Sequence, residues 1–150
     1  MMRTASCQCG QLDIVVEGEP VIVSACSCTR CQKRSGSAFA VSSRWKVEQV
    51  RRRSGNGLTY SRQGTSGKKV ELHFCPICGS TVSTSLELMP GFVGIPVGCF
   101  ADPTFPAPTV AAWCESKLEW VRFPAGLLLL RDQNQPMEMR SRAPTGEDEP

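Results

Sequence analysis

The chain has 150 residues, with 17 Lys and Arg against 14 Asp and Glu, a single His and nine Cys. That length suits one domain with a core of its own, without disulfide staples. A formal charge of +3 is too weak a basic excess to argue for nucleic acid by itself, and no run of about 18 apolar residues exists to form a membrane-spanning helix.

Taken in chain order, the N-terminal MMRTASCQCG has no apolar leader. Without export, reduced thiols and a cytoplasmic location are expected, so the cysteines read as ligands or catalysts rather than disulfides. Short runs rich in β-branched and aromatic residues follow at 12–16, 21–25, 38–41, 58–60, 70–74, 93–97 and 120–123. They read as strands separated by Gly- and Pro-bearing turns. No long stretch has a 3.6-residue period, and the best helical candidate is one or two turns around Thr29–Ser35. The expected fold class is all-β, with cysteine-bearing loops and little helix. The leucine run at 127–130 reads as a last core strand in preference to a dimer contact, although a homodimer stays open. The domain is expected to span 1–131. Residues 132–150 form a polar, Pro-containing tail with too little apolar surface to offset ordering entropy, and mobility is expected there.

Several single residues carry bland readings. Asp102-Pro103 reads as a turn initiator. Trp113 and Trp120 fit core packing or a rim. Cys99 and Cys114 stand alone in apolar runs and read as buried thiols. The stretch RWKVEQVRRR from Arg44 to Arg53 carries five cations around Trp45. It is the best nucleic-acid argument in the chain, yet alternating charges on an exposed strand are ordinary solvation.

The other seven cysteines fall in three groups: Cys7 and Cys9 in CQCG, Cys26, Cys28 and Cys31 in CSCTRC, and Cys75 and Cys78 in CPICGS. A thiolate–zinc bond of about 2.3 Å and tetrahedral geometry favour two cysteines close together on a turn. Pro76 can preset such a turn, and Gly79 and Gly10 can supply positive φ after the second ligand. A closed structural zinc takes four protein ligands and a catalytic one keeps three with an open position, so four plus three uses all seven. The most economical assignment puts Cys7, Cys9, Cys75 and Cys78 on one zinc and leaves Cys26, Cys28 and Cys31 to hold a second. The trio could instead borrow a fourth ligand from Cys99, Cys114 or His73.

CQCG, CSCTRCQKRSGSAF, FCPICGS and the stretch from Val97 through Asp102-Pro103 to ESKLEWV together resemble the glutathione-dependent formaldehyde-activating enzyme family, which includes the centromere protein V domain. The match runs in order from Cys7 to Phe123. The resemblance implies an Mss4-like all-β fold, a structural zinc on Cys7, Cys9, Cys75 and Cys78, and a more labile zinc on Cys26, Cys28 and Cys31. It implies a carbon–sulfur lyase activity, the reversible joining of formaldehyde and glutathione to S-hydroxymethylglutathione. Family members commonly carry a histidine inside the second knuckle, where this chain has Ser27, and another near Ala111. The chain's single histidine is His73, so an imidazole base beside the trio is missing from the sequence pattern.

Three thiolates on Zn²⁺ leave a position for an incoming thiol, whose proton a bound metal makes easy to lose. Arg30, Lys33 and Arg34 flank the trio and could bind the carboxylates of a small thiol such as glutathione. A non-enzymatic zinc module for protein or nucleic-acid partners, as the centromere protein V likeness allows, is the competing reading.

Overall fold

The computed structural model describes residues 1–134; of the expected tail, 135–150 lie outside them. The described chain runs β1 (Met2–Ser6), β2 (Asp13–Glu17), β3 (Ile22–Cys26), α1 (Thr29–Ser35), β4 (Ala40–Lys46), β5 (Val50–Ser54), β6 (Leu58–Gln63), β7 (Lys69–Phe74), β8 (Thr81–Leu86), β9 (Phe92–Pro96), β10 (Val110–Ala112) and β11 (Leu128–Leu129). The fold is all-β with one short α-helix, as the Mss4-like expectation requires. No described helix is long and apolar enough to cross a membrane.

The strands form two sheets. One is β1-β2-β5; the other is the eight-stranded β11-β10-β3-β4-β9-β8-β7-β6. Pairing is antiparallel except where β10 lies parallel to β3 and to β11. The period of two along each strand assigns the two faces of the large sheet. On β4, Ser43 and Trp45 are buried, while Ala40, Ser42 and Arg44 line a cavity. On β3, Val23 and Ala25 are buried, while Ile22, Ser24 and Cys26 line the same cavity. The buried face builds the main core with the small sheet: Ile14 and Val16 pack with Trp45, Val93, Ile95 and Phe100. Trp45 is fully buried and its indole N–H donates to Ser43 Oγ at 2.9 Å, which satisfies its polar atom.

A second, smaller cluster holds Ala25, Ala111 and Cys114, against which Leu127 and Leu129 pack. The leucine run thus contributes a two-residue edge strand to that cluster, with Leu128 facing out. The tryptophans differ from a core reading. Trp113 lines the cavity and Trp120 is 70 % exposed, because 120–123 forms no strand and leaves its ring at the surface. Cys114 is buried and Cys99 partly so, each thiol reaching a backbone carbonyl, on Ala111 and Thr81 respectively.

Asp102 does form a turn. Its Oδ1 accepts from Thr104 N at 2.8 Å and Thr104 Oγ1 at 2.7 Å, and its Oδ2 accepts from the nearly buried Arg3 at 2.7 Å. These partners, the Thr104 hydroxyl first, hold the carboxyl below its ordinary 3.8. Folding therefore favours the carboxylate. That stabilisation is complete above the unfolded value and disappears as pH falls through the lower folded one. Asp102→Asn should lower Tm at neutral pH, and its gap to the wild type should shrink once the pH drops below 3.8. Thermal melts in neutral and acid buffer check this; a gap of constant size would show that the charge contributes nothing.

Candidate functional site

Two knuckles meet where the sheets meet. Cys7 and Cys9 lie in the turn after β1, and Cys75 and Cys78 in the turn between β7 and β8. Their sulfurs all lie within 4.8 Å of one another. The Cys7–Cys9 and Cys9–Cys75 separations are 3.6 Å and 3.7 Å. Ligands about 2.3 Å from a central zinc in a tetrahedron are about 3.8 Å apart, so the donor set fits that ion. Backbone N–H groups of Leu12 and Ile77 donate to the Cys7 and Cys75 sulfurs at 3.3 and 3.4 Å, and Gln11 Nε2 donates to Cys75 at 2.9 Å. Gly10 and Gly79 take φ of +78° and +75°, which closes each turn. The Ser80 hydroxyl, followed by the Ser80 and Cys9 backbone N–H groups, pulls the Cys78 thiol down to about 5.

The second group stands at the other face of the large sheet. Cys26 ends β3, Cys28 caps α1 and Cys31 lies in its first turn, with all three sulfurs within 4.8 Å. The Cys28 sulfur accepts from Cys31 N at 3.4 Å. Hydrogen bonds from the Cys26 and Cys31 thiols pull Cys28 far below an ordinary thiol, while the same contacts and burial push Cys26 up. Among the described residues no fourth metal-ligating side chain joins this group, and Cys99, Cys114 and His73 all stand elsewhere.

The three cysteines open on a cavity of about 390 Å³. Its floor is the outer face of β3, β4, β8 and β7; its walls are α1, the β6–β7 hairpin tip, Leu88 and Met89, and Trp113. Trp113 holds a left-handed backbone (φ +57°), an uncommon conformation for a bulky residue, at the cavity edge. Of the expected cations, Arg30 and Arg34 line the cavity, and Arg30 Nη1 donates to Gln63 O at 2.8 Å, tying α1 to the hairpin. Lys33 is exposed and lies outside the described lining.

Arg44, Arg62, Lys68 and Lys69 also line the cavity. Sequence reasoning read Arg44–Arg53 as one exposed strand of solvated charges; the stretch instead splits between β4 and β5. Arg44 lies in the cavity and Trp45 in the core, while Arg51 pairs with Glu17 and Arg52 with Asp13 on β2. His73 on β7 contacts Thr59 Oγ1 at 3.3 Å and lies beside Arg53, away from the trio. Ser27 is buried, and its hydroxyl has no hydrogen-bond partner among the described residues. No imidazole or carboxylate lines the cavity among the described residues.

A family model described as glutathione-dependent formaldehyde-activating enzyme matches residues 2–116. The chain belongs to that family. The match spans both cysteine groups and ends at Ser116 beside the cavity. A solved protein of Rhodobacter sphaeroides is similar in fold, with a TM-score of 0.53 and 22 % identity over 67 % of this chain and 91 % of that one. No curated protein matches the chain. Membership in the formaldehyde-activating family thus accounts for the fold and for both cysteine groups, each of which could hold a metal ion.

Proposed function

We propose that this chain is a zinc-dependent carbon–sulfur lyase that joins a small thiol, such as glutathione, to formaldehyde and reverses that step. The observation that carries the reading is the Cys26, Cys28 and Cys31 trio, gathered within 4.8 Å at the floor of a cavity of about 390 Å³. Cys7, Cys9, Cys75 and Cys78 would hold a closed structural zinc, and the trio a second, more labile one. When bound at the trio, zinc supplies the acidity that turns an incoming thiol into a thiolate. A reduced, cytoplasmic setting would keep the nine unpaired cysteines available as ligands.

In the joining direction a carbon–sulfur bond forms, the carbonyl π pair moves to oxygen, and the proton lost by the thiol ends on that oxygen. Atoms and charge therefore balance with the thiol and the aldehyde alone, and no further reactant is needed. The chain's part is positioning. Arg34 and Arg44 face the negative trio from the cavity and offset its charge. Because the proton moves from substrate sulfur to product oxygen, the missing imidazole costs the reaction less than it would a hydrolysis.

The test is metal analysis together with thiol titration. Two zincs per chain are expected, one of them chelated first. Cys28→Ser should lose that labile zinc and reduce thiol binding by at least about ten-fold, since it removes one of three ligands. A Cys28→Ser protein with unchanged metal content and unchanged thiol affinity overturns the reading.

A further inference from the structure

Arg44 stands at the centre of the cavity floor in an arrangement that the metal chemistry does not require. It pairs with Gly94 across β4 and β9, and Gly94 pairs with Thr84 across β9 and β8, so the three lie in one row across the sheet. The guanidinium lies over Gly94 and donates through Nη1 to Thr84 Oγ1 at 3.0 Å. Gly94 is needed for this: a Cβ there would collide with Arg44 Nη1 and Thr84 Oγ1. The sequence thus keeps a small residue where the guanidinium must lie flat.

That guanidinium has no carboxylate partner among the described residues; the anionic groups that reach it are the Cys26 and Cys31 sulfurs. Among the described residues Arg44 forms no ion pair, whereas the nearly buried Arg3 has Asp102 and Glu19. The guanidinium's hydrogen bond goes to a neutral hydroxyl, which leaves most of its five donors open to the cavity. Ile22, Leu72, Leu86 and Met89 wall the same space. Partial burial and then the nearby Arg34 lower the Arg44 pKa, and the Cys31 and Cys26 sulfurs offset that only in part, so two guanidiniums are close enough to repel. A desolvated charge held against a like charge is costly unless an anion joins it.

We propose that Arg44 is the carboxylate subsite of this cavity, and that the thiol handled there is a carboxylate-terminated one joined to its sulfur by an apolar spacer. The inference rests on the thiol reading for the reacting group and adds what selects the substrate. The register fixes the scale. Cys26 pairs with Ala40 and Ile22 with Arg44, four residues apart on each strand. At about 3.3 Å per residue this is about 13 Å between Cα positions, room for a spacer of about five carbons once both side chains reach inward. Glutathione offers a carboxylate, but its ammonium group would find no acidic partner among the described lining residues.

Three thiols of equal length test this on the zinc-loaded full chain by calorimetry: 6-mercaptohexanoate, 6-mercaptohexanol and 6-aminohexanethiol. The carboxylate should bind at least about ten-fold more tightly than the alcohol, the return expected of one charge-assisted pair, and the amine most weakly. Arg44→Gln should erase the preference of acid over alcohol, and Arg44→Lys should keep part of it. Gly94→Ala, which keeps the charge but pushes the guanidinium aside, should erase it too and serves if Arg44→Gln does not fold. A preference that survives in both variants overturns the inference. So does an equal loss for acid and alcohol in Arg44→Gln, which would make Arg44 a partner of the cysteine trio alone. Wild-type binding of all three thiols without preference overturns this inference and leaves the thiol reading standing; binding of none overturns both.

Discussion

Cys75→Ser should unfold the protein rather than only silence it. Cys75 is fully buried, and its sulfur accepts from Gln11 Nε2 and Ile77 N. Its cluster joins the β1–β2 turn of the small sheet to the β7–β8 turn of the large one. Structural zinc in finger peptides contributes about 10–16 kcal/mol of apparent binding energy. A whole domain is stable by only about 5–15 kcal/mol, so losing one of four ligands can consume most of it. The expected result is a protein without a cooperative melt and without near-UV circular dichroism. Cys28→Ser is the contrast: its trio lies in one local segment, the end of β3 and the start of α1, and should lose metal while keeping the fold. A Cys75→Ser protein melting cooperatively within a few degrees of wild type would show that the cluster does not hold the sheets together.

The difference between those two clusters was legible in the cysteine spacing, because ligands one to four residues apart must share a turn whatever the fold. Most apolar runs were legible too. Residues 12–16, 21–25, 70–74 and 93–97 fall within a residue or so of β2, β3, β7 and β9, and Thr29–Ser35 is α1. The strands without an apolar signal were not. In β8, TVSTSL, the partly satisfied Ser83 and Thr84 are buried as partners of Arg53 and Arg44, so polar residues occupy positions that a hydrophobic pattern would fill. In β5, VRRRS, Arg51 and Arg52 pair with Glu17 and Asp13 and Arg53 donates to Ser83, on a strand paired on one side only.

The cavity floor was hidden for a related reason. Arg44, Thr84 and Gly94 are up to 50 residues apart and meet through strand register alone. A run of basic residues read along the chain suggests one charged face, yet the period of two sends Arg44 to the cavity and Trp45 to the core. The cations that flank the trio in sequence were only partly the ones that share its space: Arg30 and Arg34 do, Lys33 does not, and Arg44 was recognisable only once β4 had a partner on each side.

Gly55→Ala should be the most damaging single-methyl addition near the structural cluster. Gly55 has φ of +87°, and a Cβ there would collide with the Gln11 carbonyl and come within 2.9 Å of Leu12 Cα. Both obstacles are backbone, so no side-chain rotation relieves them. The loop that must yield is the one that serves the cluster: Gln11 bonds Asn56 through both ends of its amide, at 2.8 and 3.1 Å, and donates to the Cys75 sulfur. Left-handed strain and the displaced loop together should cost about 3 kcal/mol, a fall in Tm of about 10 °C. Gly91→Ala separates the two causes, because Gly91 has φ of +81° and open space around its Cβ. It should lose only the strain, about 1 kcal/mol. Gly55→Ala should also surrender its more tightly held metal to a chelator faster than Gly91→Ala. Equal melting temperatures and equal metal release for the two variants would show that the β5–β6 turn does not brace the cysteine cluster.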